Sequence, residues 1–305
     1  MYMSVIINQM VVLFILMAVG FALGKTKILN PDSNKTLTKL ILCIALPGTI
    51  LNSVFDNDMS ITIGETFFFL LMSFVTILIA FIVSVPIVRL MGGKKSNRGL
   101  LVFMSVFSNS AFMGIPVAIA IFDITAAFYA SLFIFVWNII VFSLGIVMIS
   151  GKSGKFDAKI LLNPAFITAI IAVPIALIGI TPHMIITETV RIAGSMTTPV
   201  AMIVTGSILA YMPMKAIFSE WRIFPVTLLK LIIIPVVTWL IMRQILTNEL
   251  QLGVIVLIAG MPIAAMAPML AVEYDGNEPL ASSGVFITTL LSGITIPLLV
   301  YFLLM

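Results

Sequence analysis

The sequence predicts an all-α membrane protein: ten transmembrane helices in two inverted five-helix repeats, with helices 4 and 9 broken and crossing. Three observations carry that reading. Of 305 residues, 61% are hydrophobic and only 9% are charged, whereas a soluble domain carries about 25% charged residues. The apolar residues gather into ten runs, each close to the ~20 residues a helix needs to cross the hydrocarbon core. Two prolines and an aspartate recur at one fixed offset along the chain.

In order, the runs lie at about 5–24, 36–55, 65–90, 99–121, 126–149, 162–180, 187–211, 222–246, 251–272 and 280–304. The first contains "VIINQMVVLFILMAVGFALG", without a basic n-region or a small-residue cleavage site. It reads as a span and not as a signal peptide. The joints carry turn signals, "NPDSN", "MGGKKSN", "SGKSGKFD", "YMP", "TNE" and "YDGNEP". With the N-terminus outside, thirteen of the sixteen basic residues fall in cytoplasmic loops, in keeping with the positive-inside rule. Both termini are then expected to face out of the cell membrane. The loop holding Glu273, Asp275 and Glu278 has no basic residue, but acidic residues weigh little in that rule.

Pro47 and Pro199, Pro116 and Pro268, and Asp123 and Asp275 are each 152 positions apart. That offset lays span 1 on span 6 and span 4 on span 9. It divides the chain into a first repeat, 1–152, and a second, 153–305. An odd number of spans per repeat inverts the second copy, as in many transporters.

Spans 4 and 9 contain residues that a lipid-facing helix does not tolerate. "SNSAFMGIPV" (108–117) has two serines, an asparagine, a glycine and a proline, and "MPIAAMAP" (261–268) has two prolines. Proline removes a helical hydrogen bond and clashes with the preceding turn. Irregular backbone at that depth survives only where protein buries it or it lines a cavity. The expected product is a pair of broken helices that cross and bring half-helix ends together. Pro116 and Pro268 suit the first helical position, and exposed half-helix N-termini suit an anion.

At "SNSAFMGIPVAIAIF" (108–122) and "MPIAAMAPMLAVEY" (261–274) the sequence resembles the auxin efflux carrier family, which includes plant auxin exporters and bacterial permeases for malate-like acids. The similarity covers essentially the whole chain, including Pro47 and "GSMTTP" (194–199). The resemblance implies a scaffold of spans 1, 2, 6 and 7, a mobile transport part of spans 3–5 and 8–10, and a homodimer. It also implies that Asn109 contacts a substrate carboxylate. The chain lacks the long hydrophilic loop of the plant members, and Met261 stands where an asparagine would complete a symmetrical pair. Both departures argue against auxin itself as the substrate.

The substrate-binding candidates are Asn109, Ser108, Ser110, Gly114, Pro116, Pro262, Pro268, Asn52 and Thr198. Asn109 also fits a purely packing role, since asparagine hydrogen-bonds across packed spans. Ser108 and Ser110 point to different helix faces. Lys230, in "PVTLLKLIIIPVV", and Asp275 are candidates for coupling or charge compensation. A cation within a span is a functional candidate by default. Lys230 is expected to neutralise a carboxylate, replace a coupling cation or change protonation during transport, or else to snorkel to the surface. Glu273 and Asp275 read equally as solvated loop acids, and His183, the only histidine, as a surface residue.

The leading function is secondary transport of a small organic acid, coupled to a proton or to sodium if to any ion. The alternatives are an intramembrane enzyme and a non-transporting membrane receptor. Neither "GxxxxGK[ST]" nor "HExxH" occurs, and a serine–histidine triad would have to recruit His183 from an outer loop. Cys43 is the only cysteine, so neither an internal disulfide nor a thiolate cluster can form. No cofactor or metal is expected. The twenty methionines read as fillers of irregular gaps between helices. The net charge of +4 is spread over short loops and does not form a nucleic-acid surface.

Overall fold

A computed structural model describes residues 2–55, 62–92, 95–150, 164–180, 182–212, 220–274 and 276–304. Among these residues every regular element is helical. The helices are α1 (Tyr2–Lys25), α2 (Pro31–Phe55), α3 (Ile63–Leu90), α4 (Lys95–Val106), α5 (Ser110–Ile121) and α6 (Ala126–Ile149). They continue as α7 (Pro164–Ile178), α8 (Met184–Tyr211), α9 (Ile223–Met242), α10 (Glu249–Ala259), α11 (Ala267–Glu273) and α12 (Glu278–Leu304). Seven of the described helices are long and apolar enough to cross a membrane: α1, α2, α3, α6, α8, α9 and α12. Predicted spans 4 and 9 are each two shorter helices, and span 6 is the 15-residue α7.

Several helices begin earlier than the apolar runs. Hydropathy marks the first lipid-facing residue, whereas the helix starts at its cap. Asn30 Oδ1 accepts from Ser33 N at 2.8 Å and Pro31 fills the first turn of α2. Thr62 and Glu65 bond reciprocally ahead of α3, with Thr62 N 2.8 Å from Glu65 Oε2 and Glu65 N 3.2 Å from Thr62 Oγ1. Asn248 and Asn277 cap α10 and α12.

Three prolines inside spans share one device. π-helical turns at Ile41–Ala45, Ser110–Gly114 and Leu229–Ile233 stand just before Pro47, Pro116 and Pro235. A proline ring meets the carbonyl four residues earlier in a regular helix. Residues 43, 112 and 231 lie inside the widened turns, which relieve that clash without ending the helix.

The chain forms two compact units. One comprises Met1–Leu71, Ala111–Phe135 and Ala158–Tyr211. There α1 and α8 touch backbone to backbone: a Cβ on Gly20 would overlap the Ile203 carbonyl, and one on Gly206 would overlap the Met17 carbonyl. Gly20 and Gly24 give α1 the small-xxx-small spacing that lets spans approach this closely. α2 is fastened to α8 by Thr49, whose hydroxyl lies 2.7 Å from Thr197 Oγ1 and 2.9 Å from the Gly194 carbonyl. Lys25 Nζ donates to the Ala210 carbonyl at 2.6 Å, at the C-terminal end of α8 where a cation is favoured.

The other unit comprises Met72–Ser110, Val136–Asp157 and Met212–Met305. Its α10 is buried from Gly253 to Ala259, as an all-apolar helix must be. The ring of Phe107 anchors an aromatic cluster, 4.8 Å from Phe103, 5.7 Å from Trp137 and 5.9 Å from Phe81 between centroids. Across the chain, large apolar side chains such as Ile15, Phe67, Ile82, Ile178 and Phe302 face outward. Such a surface suits lipid and not water.

Candidate functional site

The breaks in predicted spans 4 and 9 meet. Asn109 N donates to the Pro262 carbonyl at 2.8 Å, and Ala264 N donates to the Phe107 carbonyl at 3.0 Å. These two bonds flank an antiparallel pairing of Ser108 with Ile263. A stub of sheet therefore replaces the helical bonds that both segments have lost. The remaining amides are also matched. Gly260 N and Met261 N donate back into α10, and Ile263 N donates to Thr288 Oγ1 of α12 at 3.1 Å. Pro262 has no amide to satisfy, so it contributes an acceptor only. Each backbone N–H from Gly260 to Ala264 thus has a partner, as buried backbone requires.

Lys230, on the π turn of α9, reaches this break. It is fully buried. Its Nζ donates to Ser108 Oγ at 2.6 Å, to the Ala259 carbonyl at 3.1 Å and to the Val106 carbonyl at 3.3 Å. An ammonium has three donors, and all three are engaged. Val106 and Ala259 are the last residues of α4 and α10, whose carbonyls have no helical partner. Among the described residues no carboxylate pairs with Lys230. The side chain does not snorkel: its head lies in the break.

Asn109 precedes the first turn of α5 and is buried, and its Nδ2 has no acceptor among the described residues. Ser108 accepts from Lys230, while Ser110 Oγ turns back to the Ser108 carbonyl at 3.3 Å. The three neighbours in "SNS" therefore do different things: one engages the ammonium, one offers a free donor, one folds the turn.

The structure brings Ser108, Asn109, Ser110, Pro262 and Lys230 together in one unit. Pro268 is the second residue of α11, near the expected first position. Pro116 is likewise the second residue of an α-helical stretch, Ile115–Ile121, but within α5 a π turn from Ser110 to Gly114 already precedes it. The proline sits inside α5, accommodated by the π turn that includes buried Gly114. Asn52 and Thr198 belong to the other unit. Asn52 is buried and its Oδ1 has no partner among the described residues, and Thr198 is half-buried beside the Thr49–Thr197 link. Glu273 ends α11, exposed, and Asp275 lies outside the described residues. His183 caps α8 in the other unit, where Nδ1 accepts from Ile185 N at 3.3 Å. Two participants carry no sequence mark, the carbonyls of Val106 and Ala259. Thr288 was signalled only by the polar pair in "ITTLLSG" (287–293).

A multi-pass membrane protein with interrupted helices paired at a buried polar break has the construction of a membrane transporter. The family model for membrane transport proteins matches residues 5–160 and 154–300, and the chain belongs to that auxin efflux carrier-like family. It is 27% identical over 303 residues to an uncharacterized transporter of Methanocaldococcus jannaschii, covering 95% of this chain and 96% of the relative. It is 25% identical over 287 residues to an uncharacterized transporter of Methanothermobacter thermautotrophicus, covering 93% and 94%.

Proposed function

We propose that the protein is a secondary transporter of small organic anions, carboxylates of the malate class, working by alternating access of the elevator type. The observation that carries this reading is Asn109, a buried amide at a helix break whose Nδ2 donor has no acceptor among the described residues. A stranded buried donor costs about 1–3 kcal/mol, and a carboxylate in the break would recover it. The N-terminal end of α5, which follows Asn109 directly in the chain, adds a positive dipole end. The broken segments 107–110 and 260–267 contain no acidic residue that would hold a cationic ligand.

The ten-span inverted arrangement belongs to the same proposal. Seven long helices, two interrupted spans and α7 account for the ten predicted runs. The contact unit that gathers α1, α2, α7 and α8 also takes in α5, the start of α3 to Leu71 and α6 to Phe135, so it matches the expected scaffold of spans 1, 2, 6 and 7 only in part. A homodimer in the cell membrane, with both termini outside, completes the reading.

The test measures binding and proteoliposome flux of an acid, its amide and a matched amine, for wild type, Asn109→Ala and Asn109→Asp. The acid should be preferred, the Ala variant should bind it about 1–3 kcal/mol more weakly, and the Asp variant should do worse. Preference for the amine, or an Asp variant as active as wild type, refutes the anion site.

A further inference from the structure

We propose that Lys230 is a tethered occupant of a monovalent-cation site, and that transport therefore needs no sodium ion. The inference rests on the transporter reading only for its consequence in coupling. The site itself is read from geometry.

Three kinds of observation define it. The first is the ligand set. Nζ is surrounded by two backbone carbonyls, Val106 and Ala259, and one hydroxyl, Ser108. Neutral oxygens from unwound backbone and half-helix C-terminal ends are what transporters offer to a coupling sodium. A site built to present Lys230 to a substrate carboxylate would leave one donor free, and none is free. The second is charge. A helix C-terminus is equivalent to roughly −0.5 elementary charge, and α4 and α10 both end on this ammonium. Two ends supply about one negative charge, which matches a monovalent cation and no more. The third is burial. Lys230 is fully buried, with no carboxylate partner among the described residues. The two helix ends and one hydroxyl must therefore stabilise it alone.

The Lys230 side chain also arrives from a third helix, α9. It thus links α4, α10 and α9 at one point, as a bound ion would, but it cannot dissociate. A carrier with a dissociable ion there is free to couple ion and substrate. This chain has fixed the ion covalently.

The experiment uses the full-length protein purified in detergent, without substrate, so it is independent of transport activity. Lys230→Ala removes a fragment equivalent to propylammonium. Thermal unfolding is followed in N-methylglucamine, sodium, potassium and propylammonium chloride at equal ionic strength. Wild type should unfold at the same temperature in all four. Lys230→Ala should unfold several degrees lower in N-methylglucamine and recover, saturably, in propylammonium or in a small alkali cation. Lys230→Met, which fills the space without charge, should be destabilised and should not recover in any of them. An Ala variant as stable as wild type in N-methylglucamine, or one that no cation restores, overturns the proposal. If the Ala variant is not recovered folded, wild-type proteoliposomes decide. Flux unchanged when sodium is replaced on both sides supports a tethered cation, and sodium-driven accumulation overturns it. Loss of anion selectivity with intact cation rescue would instead sink the functional reading and leave this site standing.

Discussion

Among the amides from Gly260 to Ala264, that of Ile263 is the one taken by a side chain, Thr288. Its hydroxyl accepts the Ile263 amide at 3.1 Å and donates to the Gly284 carbonyl at 2.7 Å. Thr288→Val keeps the volume and strands the amide, so it should lower stability by about 1–3 kcal/mol. Thr288→Ser should stay close to wild type. Thermal unfolding of both variants in detergent checks this, and equal melting temperatures for valine and serine would mean that Ile263 N–H finds another acceptor. At this scale the sequence was only partly legible. Asn109, Ser108 and Pro262 announced themselves, because polar residues and prolines are out of place in a span. Lys230 was visible as an anomaly, but its partners were not, since any residue can lend a carbonyl. Thr288 was hidden for a different reason. Threonine in a span commonly bonds back to its own helix, and Thr288 does that as well.

Among whole elements, the apolar runs located helices well and their ends poorly. Caps such as Asn30 and Asn277 lie outside the apolar stretch, so helices start before hydropathy rises. Both breaks were legible, yet the π turn that seats Pro116 within α5 was not, because a proline alone does not say whether a helix ends or widens. The α1–α8 contact was legible in principle through Gly20 and Gly24, though small residues also occur on lipid-facing surfaces. Gly20→Val places a branched side chain against the Ile203 backbone. Overpacking costs about 1–3 kcal/mol, and a backbone neighbour that cannot rotate away sets the upper end. Thermal unfolding should show a marked loss for Gly20→Val and little change for Gly64→Ala, whose Cβ would meet only Thr62 Oγ1 at 4.0 Å. Similar behaviour of the two would remove the close approach as a source of stability.

For the molecule as a whole, the distribution of lysine and arginine fixes the expected orientation, and the helices themselves do not. Tyr2→Cys and Leu304→Cys, each in a Cys43→Ser background, should react with an impermeant thiol reagent in intact cells. Lys95→Cys should not. The opposite pattern would invert the topology. The grouping of the chain into units is legible only in outline. The internal offset divides it at its middle, whereas contacts gather Met1–Leu71 with Ala158–Tyr211 across that division. An offset along the sequence and packing in space are separate properties, and the two need not share boundaries.

The tie between the two breaks is made by main-chain groups at Phe107, Asn109, Pro262 and Ala264. Main-chain bonds are indifferent to what the side chain is. The residue at 109 can therefore be exchanged while the join that positions it remains. Under the proposed anion-site reading of Asn109, ligand choice and architecture are inherited separately, and a lineage built on this frame is free to drift from one cargo to another by single replacements at 109, without passing through an unfolded ancestor.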